Sequence, residues 1–507
     1  MKPALNLGAW RHLNGNEGGP ALRLPAEHLV THAVVLGMTG SGKTGLVTVM
    51  IEEAARAKVP AVVIDVKGDL PNPLLAFPDF DPVRLEPWVE REDEMSAEAI
   101  RARAVELAEK RRKALSEWEI AEPELAAFVS GTSVRVLTPG GTAGEPLHML
   151  SSLERCSSRW KSDPEAARDA LSAAVSLVLR LLGREPDPAK SRDHVLLSVL
   201  AERRLAAGES AELSLLMEDI LHPPIDRIGA LPVNTFMRAT ERRNLAAALN
   251  TLLASPTLAT WRQGATLDVS EWVAKKEGRT PVVIVSVAHL DDEERALVLG
   301  VLLEEILSWM RSLPGSQRLR ALVVFDEVYG FLPPHPANPP TKHPLVSLMK
   351  QARAFGVGVV VATQNPMDLD YRALSNAGLW CLGRLQTDAD RARVIDGLAL
   401  AGANGGGGNG ENGDGEVGDA LKTTLQRLAP RWFLVRNAHA SAVPVLLNPR
   451  YAMSFMRGPM TRGEIREARE TAATCARPKE PGRLDPTGRT QCSASSRCAQ
   501  SVWCSTA

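Results

Sequence analysis

The stretch Val34-Val35-Leu36-Gly37-Met38-Thr39-Gly40-Ser41-Gly42-Lys43-Thr44 fits the phosphate-loop pattern G-x-x-x-x-G-K-[ST] through Gly37, Gly42, Lys43 and Thr44. Its flanks agree with that reading. The apolar run Ala33–Leu36 reads as a buried strand, and residues 45–57 read as a helix. Gly37, Gly40 and Gly42 let the backbone turn sharply and bring its N–H groups close to phosphate oxygens, with Thr39 and Ser41 in the same cradle. The helix start adds unsatisfied N–H groups and partial positive charge. Lys43 would reach the β- and γ-phosphates and Thr44 would hold Mg²⁺. A glycine-rich turn without a ligand is the plain alternative. Strand, loop and helix in this order favour a nucleoside triphosphate with Mg²⁺.

Composition bounds what such a site can serve. At 507 residues the chain has room for two or three domains, or for one domain with a large insertion. The net charge of −1 excludes a global basic field, so any nucleic-acid contact must come from a local patch. Six cysteines are scattered without a C-x-x-C pair, and Cys492, Cys498 and Cys504 are too widely spaced for a usual zinc site. Reduced thiols in a cytoplasmic protein are expected. No basic start followed by an apolar core marks a signal peptide, and no long uninterrupted apolar window marks a membrane span.

The remaining chain extends an α/β pattern, a mostly parallel sheet of P-loop NTPase (RecA/ASCE-like) type flanked by helices. Residues 1–30 form a Gly-, Asn- and Pro-rich lead-in of turns and a short hairpin, and 31–90 form the first part of the core. Residues 60–65, P-A-V-V-I-D, suit a strand buried on both faces. Asp65 and Asp69 then lie near the nucleotide or its metal, or simply close a strand-end turn. Residues 91–280 read as a mainly helical insertion, with a short strand at 134–137 and a basic cluster, Lys110-Arg111-Arg112-Lys113, on a solvated helix face.

Residues 281–450 form the second part of the core. Residues 281–288, P-V-V-I-V-S-V-A, are another buried strand, and Asp291 caps the helix after it. Residues 321–327, A-L-V-V-F-D-E, have the Walker B arrangement. Asp326 would orient the Mg²⁺ shell and Glu327 would accept a proton from the attacking water. Arg353 precedes the turn Gly356-Val357-Gly358 into a buried strand that ends Thr363-Gln364, which places it near the crevice edge of the sheet. Gln364 can hydrogen-bond both the attacking water and the γ-phosphate. Residues 379–385 and 432–436 are further strands, and 402–419 are a Gly/Asn/Asp/Glu linker or lid. Residues 451–507 are a C-terminal helix and a tail read as disordered. The tail's composition departs so sharply that a truncated or frame-shifted end is one reading. A mass spectrum of the native protein lacking it would support that.

The order GMTGSGKT, VVFDE, KQARAFGVG and VVATQNP resembles the HerA/FtsK superfamily of ring-forming ATPases, and within it the HerA-like, DUF87-type branch. The likeness covers roughly residues 25–400, firmly at those motifs. It implies a homo-hexamer with ATP sites between subunits that moves double-stranded DNA, with a helicase or translocase activity and a nuclease partner. It implies further that Lys43 and Thr44 bind phosphate and Mg²⁺, that Asp326 and Glu327 form Walker B, that Gln364 is the polar sensor, and that Arg353 is offered to a neighbour's site. Arg384 is the competing arginine. Two features depart from the family. About 30 residues before the core leave no room for the usual N-terminal barrel of HerA proteins. The membrane helices of FtsK and the conjugative coupling proteins have no counterpart. Two function classes follow: an ATP-driven DNA motor, and a non-motor ATP switch that organises a protein complex. An ABC-type clamp is disfavoured because no LSGGQ-like signature lies between Walker A and Walker B.

Overall fold

The apolar runs around the phosphate loop become the middle of one large sheet. The computed structural model describes residues 3–475 apart from 14–17, 93–94, 158, 368, 375–376 and 404–413. Among them thirteen strands share this sheet. In chain order the first seven are β1 Gly8–His12, β2 Gly18–Gly19, β3 Ala33–Leu36, β4 Ala61–Asp65, β5 Thr132–Pro139, β6 Glu145–His148 and β7 Ala265–Thr266. The others are β8 Thr280–Ser286, β9 Ala321–Asp326, β10 Val357–Thr363, β11 Leu379–Leu382, β12 Phe433–Asn437 and β13 Ser441–Pro449.

Their order across the sheet is β7-β6-β5-β8-β4-β9-β10-β3-β11-β12-β13-β1-β2. Neighbours from β7 to β11 are parallel, and β12, β13, β1 and β2 extend the sheet antiparallel. Every residue of β3, β4, β8, β9, β10 and β11 is buried. Helices cover both faces, which is why these strands read as continuous apolar runs. Alternation within a strand sorts the layers. Val34 and Leu36 of β3 pack with the helices Pro164–Leu181, Asp292–Arg311 and Lys342–Gln351. Ala33 and Val35 pack with α1, Lys43–Arg56, and with the helix Ala97–Ser116.

Several features go beyond the sequence reading. The segment read as a mainly helical insertion is rich in helices, and the short strand expected at 134–137 is there as β5, but the segment also supplies β6 and β7 to the main sheet. The lead-in hairpin, β1 with β2, closes the antiparallel end through β13, a strand the sequence reading lacks. The basic cluster is not wholly solvated. Lys110, Arg112 and Lys113 are exposed, but Arg111 turns inward, donating to the Asp79 and Met453 carbonyls and lying over Phe77 and Phe80. Helices Asp388–Ala403 and Asp414–Arg427 occupy both ends of the expected linker, whose centre, 404–413, lies outside the described residues. The expected disordered tail beyond 475, with Cys492, Cys498 and Cys504, lies outside them too. Asp291 caps the helix Asp292–Arg311 by accepting from the Glu293 and Glu294 N–H groups. No helix among the described residues is long and apolar enough to cross a membrane.

Candidate active site

The loop leaves β3 at the C-terminal edge of the parallel strands, where open α/β sheets bind their ligands. Gly40 (φ +78°) and Gly42 (φ +93°) lie in the region that glycine enters without strain. A Cβ on Gly37 would stand 2.5 Å from Ser41 Oγ. Three neighbouring segments hold the loop in place. The Gly37 N–H donates to the Thr363 carbonyl (3.3 Å) and the Met38 N–H to the Arg384 carbonyl (3.0 Å). The Arg431 N–H donates to the Ser41 carbonyl (3.0 Å). Lys43 opens α1 and is itself buried, while Thr44 is half-buried.

Asp326 ends β9 and Glu327 follows it with φ +61°, a left-handed conformation that strains a side chain of this size. Lys43 Nζ lies 3.8 Å from Asp326 Oδ1 and 3.5 Å from Glu327 Oε2. Glu327 Oε2 also accepts from Lys67 Nζ. On the other side, Glu327 Oε1 accepts from Thr363 Oγ1 (2.6 Å) and from the Gln364 N–H (3.4 Å). Burial works to raise the Glu327 carboxyl, but the Lys43 charge and the hydrogen bonds from Lys67 and Thr363 outweigh it, so its pKa lies below the usual value. Asp326 differs. Burial dominates there, Lys43 offsets part of it, and the adjacent Glu327 charge adds to the rise, so its pKa is raised. The two carboxylates therefore sit in unlike environments although they are neighbours in sequence.

Lys67 is the residue the sequence reading did not single out. Its signal was its place in a polar turn after a buried strand. That turn is built by Asp65, fully buried, whose Oδ1 accepts from the N–H groups of Gly68 (2.9 Å), Asp69 (3.1 Å) and Leu70 (3.4 Å). Its Oδ2 accepts from Ser286 Oγ (2.7 Å). Of the two readings offered for Asp65, the strand-end turn is the one its geometry fits. Asp69 stays near the charges: burial raises its pKa, and Lys67 and Lys43 act against that.

Gln364, exposed at the end of β10, accepts from Thr39 Oγ1 (2.8 Å), so the strand end and the loop touch directly. Arg353 is elsewhere. It lies in the short turn Ala352–Phe355 before β10 and not after it. A strand crosses the whole sheet, so a residue that enters it emerges on the edge opposite one that leaves it. Arg353 is therefore exposed at the N-terminal edge, away from the crevice where the sequence reading put it. Its charge is felt there by His32, whose pKa is lowered to about 4, first by burial and then by Arg353. Arg384 is exposed beside its own phosphate loop, which its carbonyl holds at Met38.

The site suits a triphosphate with a divalent cation. Ser41 Oγ and Asp326 Oδ1 are buried oxygens without a hydrogen-bond partner among the described residues, and Asp326 is only 1% exposed. Buried polar atoms are normally satisfied, so both point to ligand contacts. The bare glycine backbone, the α1 N-terminus and Lys43 supply the positive side of the cradle.

Residues 15–115 match the family model described as DUF87, helicase HerA, central domain. Similar solved structures include VirB4 of Thermoanaerobacter pseudethanolicus, with 14% identity, a TM-score of 0.48, and coverage of 89% of this chain and 96% of that one. Plasmid coupling protein TrwB in complex with the non-hydrolysable ATP analogue ADPNP has 12% identity, a TM-score of 0.45, and coverage of 91% and 98%. The genome packaging NTPase B204 from Sulfolobus turreted icosahedral virus 2, in complex with ATP-gammaS, has 14% identity, a TM-score of 0.23, and coverage of 36% and 72%. No curated protein sequence matches. The central-domain match spans the phosphate loop whose cradle has just been described, so over residues 15–115 the chain is similar to the HerA central domain.

Proposed function

We propose that this chain is an ATP-hydrolysing motor that assembles as a homo-hexamer and moves duplex DNA. The observation that carries the hydrolytic part is the meeting of Lys43 with Asp326 and Glu327, one carboxylate buried with an oxygen that faces Lys43 but accepts no hydrogen bond and the other hydrogen-bonded at both oxygens. The loop N–H groups and Lys43 would hold the β- and γ-phosphates, while the Thr44 hydroxyl and the Asp326 carboxylate would hold Mg²⁺. When bound, Mg²⁺ neutralises charge on the phosphate oxygens. Glu327 takes the proton from the attacking water, and its depressed pKa keeps it ionised at neutral pH. Gln364, tied to Thr39, orients that water against the γ-phosphate. Arg353, exposed on the edge opposite Lys43, is away from its own subunit's site, and that supports the reading in which it is offered to a neighbour's.

The test is the ATPase rate with and without duplex DNA, measured beside the solution mass. A hexamer stimulated many-fold by DNA is expected, with DNA binding that weakens steeply as salt rises, because phosphate contacts dominate. A monomer turning over ATP at a rate indifferent to DNA would overturn the motor in favour of an ATP switch.

A further inference from the structure

We propose that Arg431 and Tyr451 form the subsite for the nucleobase of the bound triphosphate; this rests on the nucleotide reading above and deepens it. The argument starts from direction. Asp326 and Glu327, which mark the γ-phosphate and metal end, follow β9, and β10 separates β9 from the loop strand β3. A triphosphate lying along the loop with its γ-end toward β9 must carry its nucleoside toward the other side of β3. There stand β11, β12 and β13, with Arg431 in the turn just before β12 and Tyr451 just after the end of β13.

Both residues are anchored to the phosphate machinery. The Arg431 N–H holds the Ser41 carbonyl at 3.0 Å, and its side chain packs so closely on Gly42 that a Cβ there would meet Arg431 Cγ at 3.1 Å. Arg431 itself has φ +64° and donates from Nη2 to the Pro449 carbonyl (2.9 Å). Tyr451 is tied to α1 through its neighbour. Arg450 Nη1 donates both to the Tyr451 carbonyl (2.7 Å) and to Glu52 Oε2 of α1 (3.0 Å). The Arg431 guanidinium lies 3.6 Å from the centre of the Tyr451 ring, which stays 43% exposed. This is a flat, pre-stacked pair beside the loop, held before any ligand arrives.

A purine extends such a stack with its π-face, and face stacking does not read the base edges. ATP and GTP are therefore both ligands of the subsite. Binding of ATP, GTP and inorganic tripolyphosphate to the full-length protein, by calorimetry, tests this. Tyr451→Ala is expected to weaken ATP and GTP about tenfold while leaving tripolyphosphate unchanged, and Tyr451→Trp to keep wild-type affinity for all three. Equal weakening of tripolyphosphate by Tyr451→Ala would mean a distorted loop and overturn the subsite. So would unchanged ATP affinity in Tyr451→Ala when Lys43→Ala abolishes binding of ATP and tripolyphosphate alike; in that case the nucleotide site stands and the base subsite alone falls. Wild-type protein that binds neither ATP nor tripolyphosphate would remove both readings.

Discussion

Glu327 concentrates the site's chemistry in one side chain. Its backbone is left-handed, two lysines approach one carboxylate oxygen, and a threonine hydroxyl and an amide approach the other. Such strain persists only where the surroundings over-determine it, and here they hold the carboxylate between Lys43 and Thr363. Glu327→Gln is expected to keep ATP bound and to lower turnover by about 10²-fold or more, since the amide keeps the shape but cannot take the proton. Near-normal phosphate release by the variant would move the base to another residue. Lys67 acts through Glu327. Its cation favours the ionised carboxylate, so Lys67→Met raises the Glu327 pKa. The acid limb of the rate profile then shifts to higher pH, and the variant loses most activity on the acid side. A lower rate with an unmoved limb would reduce Lys67 to a structural contact.

At the scale of elements, α1 is held at both ends by parts of the chain distant in sequence. Its start meets Arg431 through the loop. Its underside carries Glu52 and Glu53, both buried, which bind Arg450 at 3.0 and 2.9 Å, while Glu52 also accepts from the Met453 and Ser454 N–H groups. Arg450 is fully buried as well. Burying one arginine with two carboxylates is costly unless each charge is paired, and this network pairs them. Arg450→Met leaves the buried Glu52 without its cation, while Glu53 keeps Arg56 at 2.6 Å. It is expected to cost about 3–5 kcal/mol of unfolding free energy in a denaturant titration. A loss within about 0.5 kcal/mol, the range of ordinary surface changes, would show that α1 does not depend on this tie.

For the whole molecule, the length of the strands separates Lys43 from Arg353. Phosphate loop and carboxylates share one edge, and Arg353 occupies the other. Side by side in a ring, one subunit's arginine edge can face the next subunit's crevice, where a planar guanidinium stabilises charge developing on the γ-phosphate. Arg353→Ala is expected to bind ATP normally and hydrolyse it about 10³-fold more slowly. Mixing it with Lys43→Ala subunits is expected to recover part of the rate, because an intact loop then meets an intact arginine across one interface. Co-assembled mixtures with no activity above either parent would count against action between subunits.

The sequence by itself determined the parts of this protein whose causes are local. Glycines at 37, 40 and 42 ahead of Lys43 dictate the loop, because only they suit its turns and the close approach of backbone. Runs such as A-V-V-I-D and A-L-V-V-F-D had to become strands buried on both faces, and their terminal acids had to emerge at the strand ends. The order of strands is not local. A period of two says which face a residue takes but not which strand lies beside it, so β5 was legible only as a short strand at 134–137, and β6 and β7 were hidden within a helical pattern. β13 was hidden as well, since Pro444 within it argues against a strand. Only the tertiary structure brought Lys67 onto Glu327, Arg431 against Ser41 and Arg450 under α1. It also moved Arg353 to the far edge. Each of these depends on strand direction and neighbour, and those are set by long-range packing of the sheet, not by the residues adjoining any one of them.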